Sequence, residues 1–312
     1  MRTFYSLNDF LKSNAHLKRF FVTMGVFDGV HCAHQKIIKT MVKKAKGKRL
    51  STILITFDPH PANILKRSAK VPLLISLKHR LRLLNELGLD YVIVLRFTKR
   101  LSHMNARDFI KNTLSKIHID EIIVGRNFFF GRYKKGRFKD LKKFSAFYGY
   151  RVSTIDALKS SGRVISSTWI RNLILKGNLK KASSLLSRPV AVLGTVIKGH
   201  KRGRIIGYPT ANINPHHEAI PPSGVYAVKI ILYNRVYKGI LNIGVKPTFK
   251  KSPGDRESTI EVHIFNFNKY IYGKDLEITF VKRIRREKKF KDMFHLKKRI
   301  RQDEKLARRM LR

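Results

Sequence analysis

The chain has 312 residues, of which 43% are apolar, and 67 lysines and arginines against 20 acidic residues give it a formal net charge of +47. This length and apolar content predict two globular domains with ordinary cores and exclude a disordered basic tail. No apolar run approaches the length that spans a bilayer, and the single cysteine, Cys32, excludes an internal disulfide. The charge attracts phosphate compounds, RNA or anionic surfaces without selecting among them, so it predicts at most non-specific binding of nucleic acid.

Residues 1–21 contain no continuous apolar stretch of the kind that a secretory signal peptide needs. Five polar residues interrupt them: Asn8, Asp9, Asn14, His16 and Lys18. We therefore expect a cytoplasmic protein that does not associate with membranes.

Strand-like and helix-like patterns alternate through the first half of the chain. The predicted strands are Phe20–Met24, Thr52–Phe57, Tyr91–Leu95, Glu121–Val124 and Arg151–Ile155. The predicted helices are Gln35–Lys46, Leu77–Leu87, Asn105–Lys116 and Phe138–Phe147, followed by Ser167–Leu175 and Leu179–Leu186. This alternation predicts an α/β domain with a doubly wound parallel sheet, in which ligands bind beyond the carboxyl ends of the strands.

After Pro189 the pattern changes to consecutive short strands. The predicted strands are Ala191–Ile197, Val225–Leu232, Val236–Ile243, Thr259–Phe265 and Leu276–Val281, with hairpin turns at Tyr233-Asn234-Arg235 and Asn266–Lys269. Such a pattern indicates an antiparallel barrel or sandwich. We predict a β-barrel with a closing helix, Arg286–Arg309, and place the domain boundary so that the domains are residues 1–186 and 187–312. The apolar face predicted for that helix consists of Phe290, Met293, Phe294, Leu296, Ile300 and Leu306.

Residues 25–35, Gly-Val-Phe-Asp-Gly-Val-His-Cys-Ala-His-Gln, join the first predicted strand to the first predicted helix. Glycines in this join let the backbone approach a ligand closely, and a helix N-terminus offers free N–H groups and a positive potential. His31 and His34 lie on neighbouring positions at the helix start. The combination predicts a site for a phosphate chain; the alternative is two surface histidines after an ordinary turn.

Five further motifs follow in order along the chain. They are Thr56-Phe57-Asp58-Pro59-His60-Pro61, residues 124–131 (Val-Gly-Arg-Asn-Phe-Phe-Phe-Gly), Ser166-Ser167-Thr168-Trp169-Ile170-Arg171, Gly207-Tyr208-Pro209-Thr210-Ala211-Asn212 and Glu261-Val262-His263-Ile264-Phe265. Together with residues 25–35, this order resembles the prokaryotic bifunctional riboflavin kinase/FAD synthetase family, whose first domain belongs to the nucleotidyltransferase superfamily. The resemblance covers nearly the whole chain. It implies an enzyme whose partners are ATP, riboflavin, FMN and FAD.

For the first domain, the resemblance implies transfer of AMP from ATP to FMN with release of pyrophosphate. It assigns His31 and His34 as donors to the triphosphate, and Asn127 and Arg171 as further catalytic residues. The nucleotide-binding residues that it implies are Gly25, Phe27, Asp28, Gly29, Phe57, Pro59, Ser167 and Thr168. At most one of Phe128, Phe129 and Phe130 is expected to face the flavin ring.

For the second domain, the resemblance implies phosphorylation of riboflavin by ATP with Mg²⁺ as the cofactor. Thr210 and Asn212 would ligate Mg²⁺, and Glu261 would take the proton of the 5′-hydroxyl. The remaining cofactor-binding residues are Gly199, Gly203, Arg204 and Pro209. Without the resemblance, Glu261 would equally be interpreted as a surface ion-pair partner, and His263 on the same strand face is expected to be structural.

Two positions depart from the family pattern. Ala33 stands where many members have glycine, and Gly136 precedes Arg137 where Asp or Asn is usual. Two rival hypotheses follow from the residues: a nucleotidyltransferase for another small phosphate, and a non-enzymatic basic RNA-binding protein on a retained nucleotidyltransferase scaffold.

Overall fold

A computed structural model of the protein describes residues 1–65, 71–199, 207–216, 218–247 and 256–312. Contacts between residues group these into two compact units. The first comprises Met1–Leu73 and Leu77–Ser167, and the second comprises Leu74–Ser76 and Thr168–Arg312. The predicted boundary after residue 186 stays a prediction about function, because the contact grouping divides the chain earlier, after Ser167.

The first unit is built on a six-stranded sheet in which every pair of neighbours is parallel. Its strands are β1 (Arg2–Phe4), β2 (Phe20–Met24), β3 (Ser51–Asp58), β4 (Tyr91–Arg96), β5 (Ile119–Gly125) and β6 (Arg151–Ile155), in the order β1-β4-β3-β2-β5-β6. The chain runs from β2 to β3 on one side and later returns to β5 on the other side. The predicted doubly wound sheet is therefore confirmed, and its topological switch point lies between β2 and β5, where such sheets bind ligands.

The α-helices of this unit are α1 (Leu7–Leu11), α2 (Cys32–Gly47), α3 (Pro61–Leu65), α4 (Leu77–Asn85), α5 (Lys99–His103), α6 (Ala106–Asn112) and α7 (Phe138–Tyr148). Short 3₁₀ turns cover Asn14–Leu17, Leu114–Lys116 and Arg132–Lys134, and β7 (Lys159–Ser160) pairs with β8 (Arg163–Val164) in a small hairpin. The helix predicted from Gln35 begins three residues earlier, at Cys32. The helix predicted over residues 105–116 ends at Asn112, because Thr113 leaves helical geometry at φ −123° and ψ −60°.

The sheet carries helices, and its three central strands are largely buried. All five residues of β2 are buried, as are Ile53, Ile55 and Ile122 on the flanking strands. A central parallel strand covered on both faces consists of a nearly continuous apolar run, which is the pattern of β2. The polar residues that follow these strands are thereby held at a rigid sheet edge.

The second unit contains α8 (Ser167–Leu175), whose first residue is grouped with the first unit, α9 (Leu179–Leu186) and a closed six-stranded barrel. The strands are β9 (Ala191–Ile197), β10 (Ala211–Asn214), β11 (Gly224–Leu232), β12 (Arg235–Pro247), β13 (Arg256–Ile264) and β14 (Asp275–Arg285), in the closed order β10-β13-β12-β11-β14-β9. All described pairs are antiparallel, which confirms the predicted barrel. The hairpin turn predicted at Asn266–Lys269 is wrong, because β13 pairs with β10 and β12 rather than with β14.

A C-terminal helix, α10 (Met293–Met310), packs on the outside of the barrel. Ala307 and Leu311 cluster with Ile240 on β12 and Val225 on β11. The helix starts seven residues later than predicted, and its predicted apolar face is wrong in part: Met293, Phe294 and Leu306 are exposed. The face that packs contains instead the buried Asp303, which forms ion pairs with Arg285 at 2.8 Å and Arg299 at 3.1 Å. A buried acid is invisible to a hydrophobic pattern, which explains the error.

Two candidate active sites

The turn that links β2 to α2 has an unusual backbone. Phe27, Gly29 and Val30 all have positive φ angles, of 52°, 85° and 39°. Bulky or β-branched residues rarely adopt this region, and such strain persists where the surrounding structure holds it in place. The Phe27 ring is buried and lies edge-on to His34, with 5.0 Å between ring centroids, and it also closes over Gly25. The predicted binding residues of this turn therefore form one packed loop.

His31 is the N-cap residue of α2, and His34 lies in its first turn. The two rings stack with 3.6 Å between centroids and an interplanar angle of 17°. The side chain of His31 makes no capping hydrogen bond. The pair predicted from the sequence therefore lies directly at the N-terminus of α2, where backbone N–H groups and a positive potential favour an anion.

The pKa of His34 is held well below its ordinary value of 6.5, first by burial and then by the neighbouring His31 and Arg80. Its Nδ1 atom is buried without a hydrogen-bond partner among the described residues. His34 is therefore neutral at neutral pH, and it can offer a ligand one N–H donor rather than a positive charge.

Arg80 on α4 is a residue of this site that the sequence analysis missed. It is 4% exposed, and its guanidinium donates to the carbonyl oxygens of Val26 at 2.7 Å and Phe57 at 3.0 Å. One side chain thereby ties the loop after β2 to the end of β3. Burial lowers its pKa, while Asp28 and Asp58 act in the opposite direction. An arginine four residues before Leu84 on the apolar face of a predicted helix was the signal that could have identified it.

Asp28 is buried at 2% exposure, with His60 Nε2 4.0 Å from its carboxylate. Its carbonyl oxygen accepts a hydrogen bond of 2.8 Å from the hydroxyl of Ser167. Phe57 and Pro59 follow at the carboxyl end of β3. Three of the predicted motifs therefore meet at one edge of the sheet: the loop after β2, the end of β3 with His60, and Ser167.

Asn127 is exposed just beyond the carboxyl end of β5. Of the three following aromatic residues, Phe130 lies in the core and stacks on the half-buried Phe128, with 5.5 Å between centroids. Phe129 is 43% exposed, and Lys134 lies 4.7 Å above its ring. The structure thus leaves Phe129 as the solvent-facing ring of the three.

The departure at Gly136 and Arg137 has a structural role. Gly136 and Phe130 exchange two backbone hydrogen bonds of 3.0 Å, which closes the loop between them. Arg137 is the N-cap of α7, and its N–H donates to Asp140 at 2.7 Å.

The other departure, Ala33, lies in the first turn of α2. Thr168 and Arg171 lie on α8, in the second unit, where Arg171 is 7% exposed.

The second candidate site is a row of polar side chains across three adjacent barrel strands. Glu261 on β13 is in register with Asn212 on β10 and with Asn242 on β12. Directly opposite residues of antiparallel strands place their side chains on the same face about 5 Å apart. The alternate residues Ile260 and Val262 are buried inside the barrel, so the row lies on its outer face. Asn242 was missed by the sequence analysis; a lone amide in an apolar strand was the available signal.

Gly199 is predicted as a binding residue, and the structure places it against Asn212. A Cβ atom on Gly199 would lie 2.0 Å from Asn212 Nδ2. Pro209 is fixed by His263, whose Nδ1–H donates to the Pro209 carbonyl at 2.8 Å, so the predicted structural role of His263 has a partner. Gly203 and Arg204 lie outside the described residues.

Next to the row, a cleft of about 130 Å³ opens at the barrel. It is lined by Pro209, Thr210 and Ala211 on one side and by residues 267–272, with Phe267, Tyr270 and Tyr272, on the other. A cleft that combines aromatic rings with polar groups, here Thr210, Asn268 and Lys269, is suited to a flat heterocycle. Thr210 belongs to this cleft, and Asn212, two residues further on, belongs to the row.

Comparisons with known proteins match both halves of the chain. A family model described as FAD synthetase matches residues 13–169, and one described as riboflavin kinase matches residues 186–311. The bifunctional riboflavin kinase/FMN adenylyltransferase of Buchnera aphidicola subsp. Schizaphis graminum is 37% identical over 90% of this chain and 91% of its own length. The Listeria monocytogenes protein of the same description is 38% identical over 91% and 90%.

Among solved structures, one described as a macrolide-efflux protein from Streptococcus pneumoniae superposes with a TM-score of 0.82 at 29% identity and covers 98% of both chains. The efflux activity in this description refers to the Streptococcus pneumoniae protein and not to the present chain. Within the described part of this chain, no helix is long and apolar enough to cross a membrane.

Both family models describe enzymes, and the rival hypotheses of an RNA-binding scaffold and of another nucleotidyltransferase gain no support from them. Identity above one third extends over nine tenths of the chain and includes both units. The chain therefore belongs to the bifunctional riboflavin kinase/FMN adenylyltransferase family, enzymes that convert riboflavin to FMN and FMN to FAD at the expense of ATP.

Proposed function

We propose that FMN is adenylylated at the N-terminus of α2 and that riboflavin is phosphorylated at the row Asn212–Glu261–Asn242 on the barrel. The observation that carries this division is the row itself, because it places an acid between two amides at a rigid surface. The stacked histidines belong to a separate unit. Each chemistry therefore has its own set of residues.

In adenylyl transfer, a phosphate oxygen of FMN forms a bond to the α-phosphorus of ATP while the bond to pyrophosphate breaks. The FMN phosphate is already ionised at neutral pH, so no protein base is required. Catalysis then depends on positioning and on donors that stabilise the developing charge. The N-terminus of α2, the imidazole of His31 and the neutral imidazole of His34 supply such donors.

The remaining residues of this site act around that centre. Gly25, Phe27, Asp28, Gly29, Phe57 and Pro59 form the walls of the nucleotide pocket, and Arg80 holds two of the loops together. The family resemblance assigns Asn127, Ser167, Thr168 and Arg171 to the phosphates. The planar fork of Arg171 is suited to two phosphate oxygens at once. The exposed ring of Phe129 is the one that we assign to the flavin.

In the kinase reaction, the 5′-oxygen of riboflavin forms a bond to the γ-phosphorus of ATP, and ADP leaves. Glu261 accepts the hydroxyl proton and orients the oxygen, which is the usual task of such a residue. The ATP base enters the cleft beside Thr210. Pro209, held by His263, then aligns Thr210 with the reacting phosphates.

Mg²⁺ fits the residues at this point. The Thr210 hydroxyl and the Asn212 amide offer the oxygen ligands that Mg²⁺ prefers, and the absence of a side chain at Gly199 gives Asn212 the space it occupies. When bound with ATP, Mg²⁺ would neutralise charge on the phosphates. Gly199, Gly203 and Arg204 complete the proposed phosphate-binding segment. We place the functional boundary between residues 186 and 187, and the enzyme in the cytoplasm, where ATP is plentiful.

Two single variants test the assignment. Glu261→Gln should lower turnover of riboflavin on the order of 100-fold or more, as expected for loss of a general base, and leave FMN adenylylation unchanged. His31→Ala or His34→Ala should lower FMN adenylylation on the order of 100-fold and leave riboflavin phosphorylation unchanged. Chromatographic separation of riboflavin, FMN and FAD measures both activities in one assay. A folded variant that loses both activities equally would contradict the two-site assignment.

A further inference from the structure

A second carboxylate lies on the outer face of the barrel, beside the row. Glu287 follows β14 and precedes α10, and it is exposed. A Cβ atom built on Gly244 would lie 3.1 Å from Glu287 Oε1, 3.0 Å from Thr259 Oγ1 and 3.6 Å from Asn242 Nδ2. Because Gly244 has no side chain, the carboxylate of Glu287 can reach into the space above β12.

This space continues the row by one step along the same strands. Gly244 is in register with Thr259, just as Asn242 is in register with Glu261. Residues two apart on a strand face the same side and are separated by about 7 Å. Glu287 therefore adds a second carboxylate to this face, next to Thr259 and one step away from Glu261.

Glu287 also stands out by its lack of partners. The carboxylates of Glu218, Asp275, Asp292, Asp303 and Glu304 in the second unit are hydrogen-bonded or ion-paired, and Glu277 also has a contact. Among the described residues, the side chains of Glu261 and Glu287 have none. In a chain with 67 cationic side chains, two acids on one face of the barrel that have no ion pair among the described residues favour a ligand that needs hydrogen-bond acceptors.

We propose that Glu287 accepts hydrogen bonds from the hydroxyl groups of the ribityl chain of riboflavin and so positions the 5′-hydroxyl at Glu261. This inference rests on the proposed role of Glu261. A carboxylate offers acceptors only, and a polyol chain presents several donors in succession. The five-carbon ribityl chain is also comparable in length to one two-residue step of a strand. The flavin ring, by contrast, offers a carboxylate a single N–H group.

The test compares riboflavin with lumiflavin, which has the same ring but a methyl group in place of the ribityl chain. The variants are Glu287→Ala and Glu287→Gln in the full-length enzyme, with Glu86→Ala as a control that removes another exposed acid, from the first unit. The measurements are KM for riboflavin, KM for ATP and the inhibition constant of lumiflavin in the kinase reaction.

Glu287→Ala should raise KM for riboflavin about tenfold or more, the effect expected for loss of a hydrogen bond to a charged group. KM for ATP and the inhibition constant of lumiflavin should stay unchanged. The KM for riboflavin of Glu287→Gln should lie between those of wild type and Glu287→Ala, because its amide oxygen still accepts a hydrogen bond. Glu86→Ala should have the KM values of wild type.

Three outcomes would overturn the inference: an unchanged KM for riboflavin, an equal weakening of lumiflavin, or an effect confined to ATP. If Glu287→Ala does not fold, the same comparison with Glu287→Gln decides. Failure of the proposed kinase site is detected separately, since it would appear as a normal turnover of Glu261→Gln. If Glu261→Gln loses turnover while both Glu287 variants keep a normal KM for riboflavin, the proposed role of Glu287 is wrong and the proposed kinase site stands.

Discussion

The stacked rings of His31 and His34 lie too close together for both to carry a positive charge. With 3.6 Å between ring centroids, each protonated ring would repel the other, and Arg80 adds a third cation nearby. Burial makes protonation still less favourable, which is why the pKa of His34 falls. At the proposed adenylylation site, a neutral His34 has an advantage, because it holds the pyrophosphate product less tightly than a second full charge would.

This arrangement predicts a pH dependence of stability. The folded-state pKa of His34 lies below its unfolded value near 6.5, so below that pH the unfolded chain binds more protons than the folded one. The contribution of His34 to stability is therefore complete above pH 6.5 and is lost as the pH falls through the interval down to the folded pKa. The slope approaches about 1.4 kcal/mol per pH unit for one proton.

Urea unfolding at a series of pH values between 7 and 5 measures this slope. His34→Asn should make the acid-induced loss of stability shallower, and the exposed His118→Asn should leave it as in wild type. Equal slopes in wild type and His34→Asn would show that protonation of His34 does not oppose folding.

At the scale of elements, the approach of the segment after β9 to β10 decides the geometry of the proposed kinase site. Gly199 lies two residues beyond the end of β9, and its missing Cβ is where the Asn212 amide sits. A contact of 2.0 Å between a Cβ atom and that amide would force one of them to move. The position of a predicted Mg²⁺ ligand thus depends on a glycine in a different strand segment.

Gly199→Ala should therefore reduce riboflavin phosphorylation on the order of 100-fold, since a shift of about 1 Å in a positioning group has such an effect. FMN adenylylation should be unaffected. Gly47→Ala is the matched control, because a Cβ atom there meets nothing within 4 Å. Steady-state kinetics at varied Mg²⁺ would locate the defect, and a normal kinase rate in Gly199→Ala would show that Asn212 need not hold its present position.

At the scale of the whole molecule, the chain divides twice, by contacts and by function. The first family model ends at residue 169 and the second begins at residue 186. The contact grouping assigns α9 and most of α8, which fill this interval, to the second unit. The hydroxyl of Ser183 on α9 accepts a hydrogen bond of 3.1 Å from the N–H of Val190, just before β9. The two helices bury Ile170, Ile174, Leu185 and Leu186.

Two fragments test this division. Residues 187–312 should retain riboflavin kinase activity, because the barrel, the row and the cleft lie within them. Residues 168–312 should have the same activity and a higher thermal unfolding temperature, since each aliphatic side chain kept buried contributes about 1.5–3 kcal/mol. Calorimetry and the kinase assay on both fragments check this. A folded fragment of residues 187–312 without activity would move the functional boundary toward the contact boundary.

The amino-acid sequence by itself determined the two domain classes, most strand positions and the motifs. Apolar periodicity and turn residues depend on local order along the chain, so β2, β6, α8, α9 and β9 were predicted with their observed bounds. The place of His31 and His34 at the start of a helix and of Glu261 on a strand face was also predicted from the sequence, while the role proposed for Glu261 came from the family resemblance. Recognition of the family followed from the order of these motifs.

Only the tertiary structure decided which side chains meet. Arg80 joins two loops, Asn242 stands opposite Glu261, and Glu287 reaches over Gly244, and each of these contacts links segments that are distant in sequence. The hydrophobic pattern also failed for α10, because its packed face contains the ion-paired Asp303. The physical reason is common to all four. Strand register and the partners of a buried charge are set by closure of the sheet and barrel, which bring together residues whose local patterns carry no information about one another.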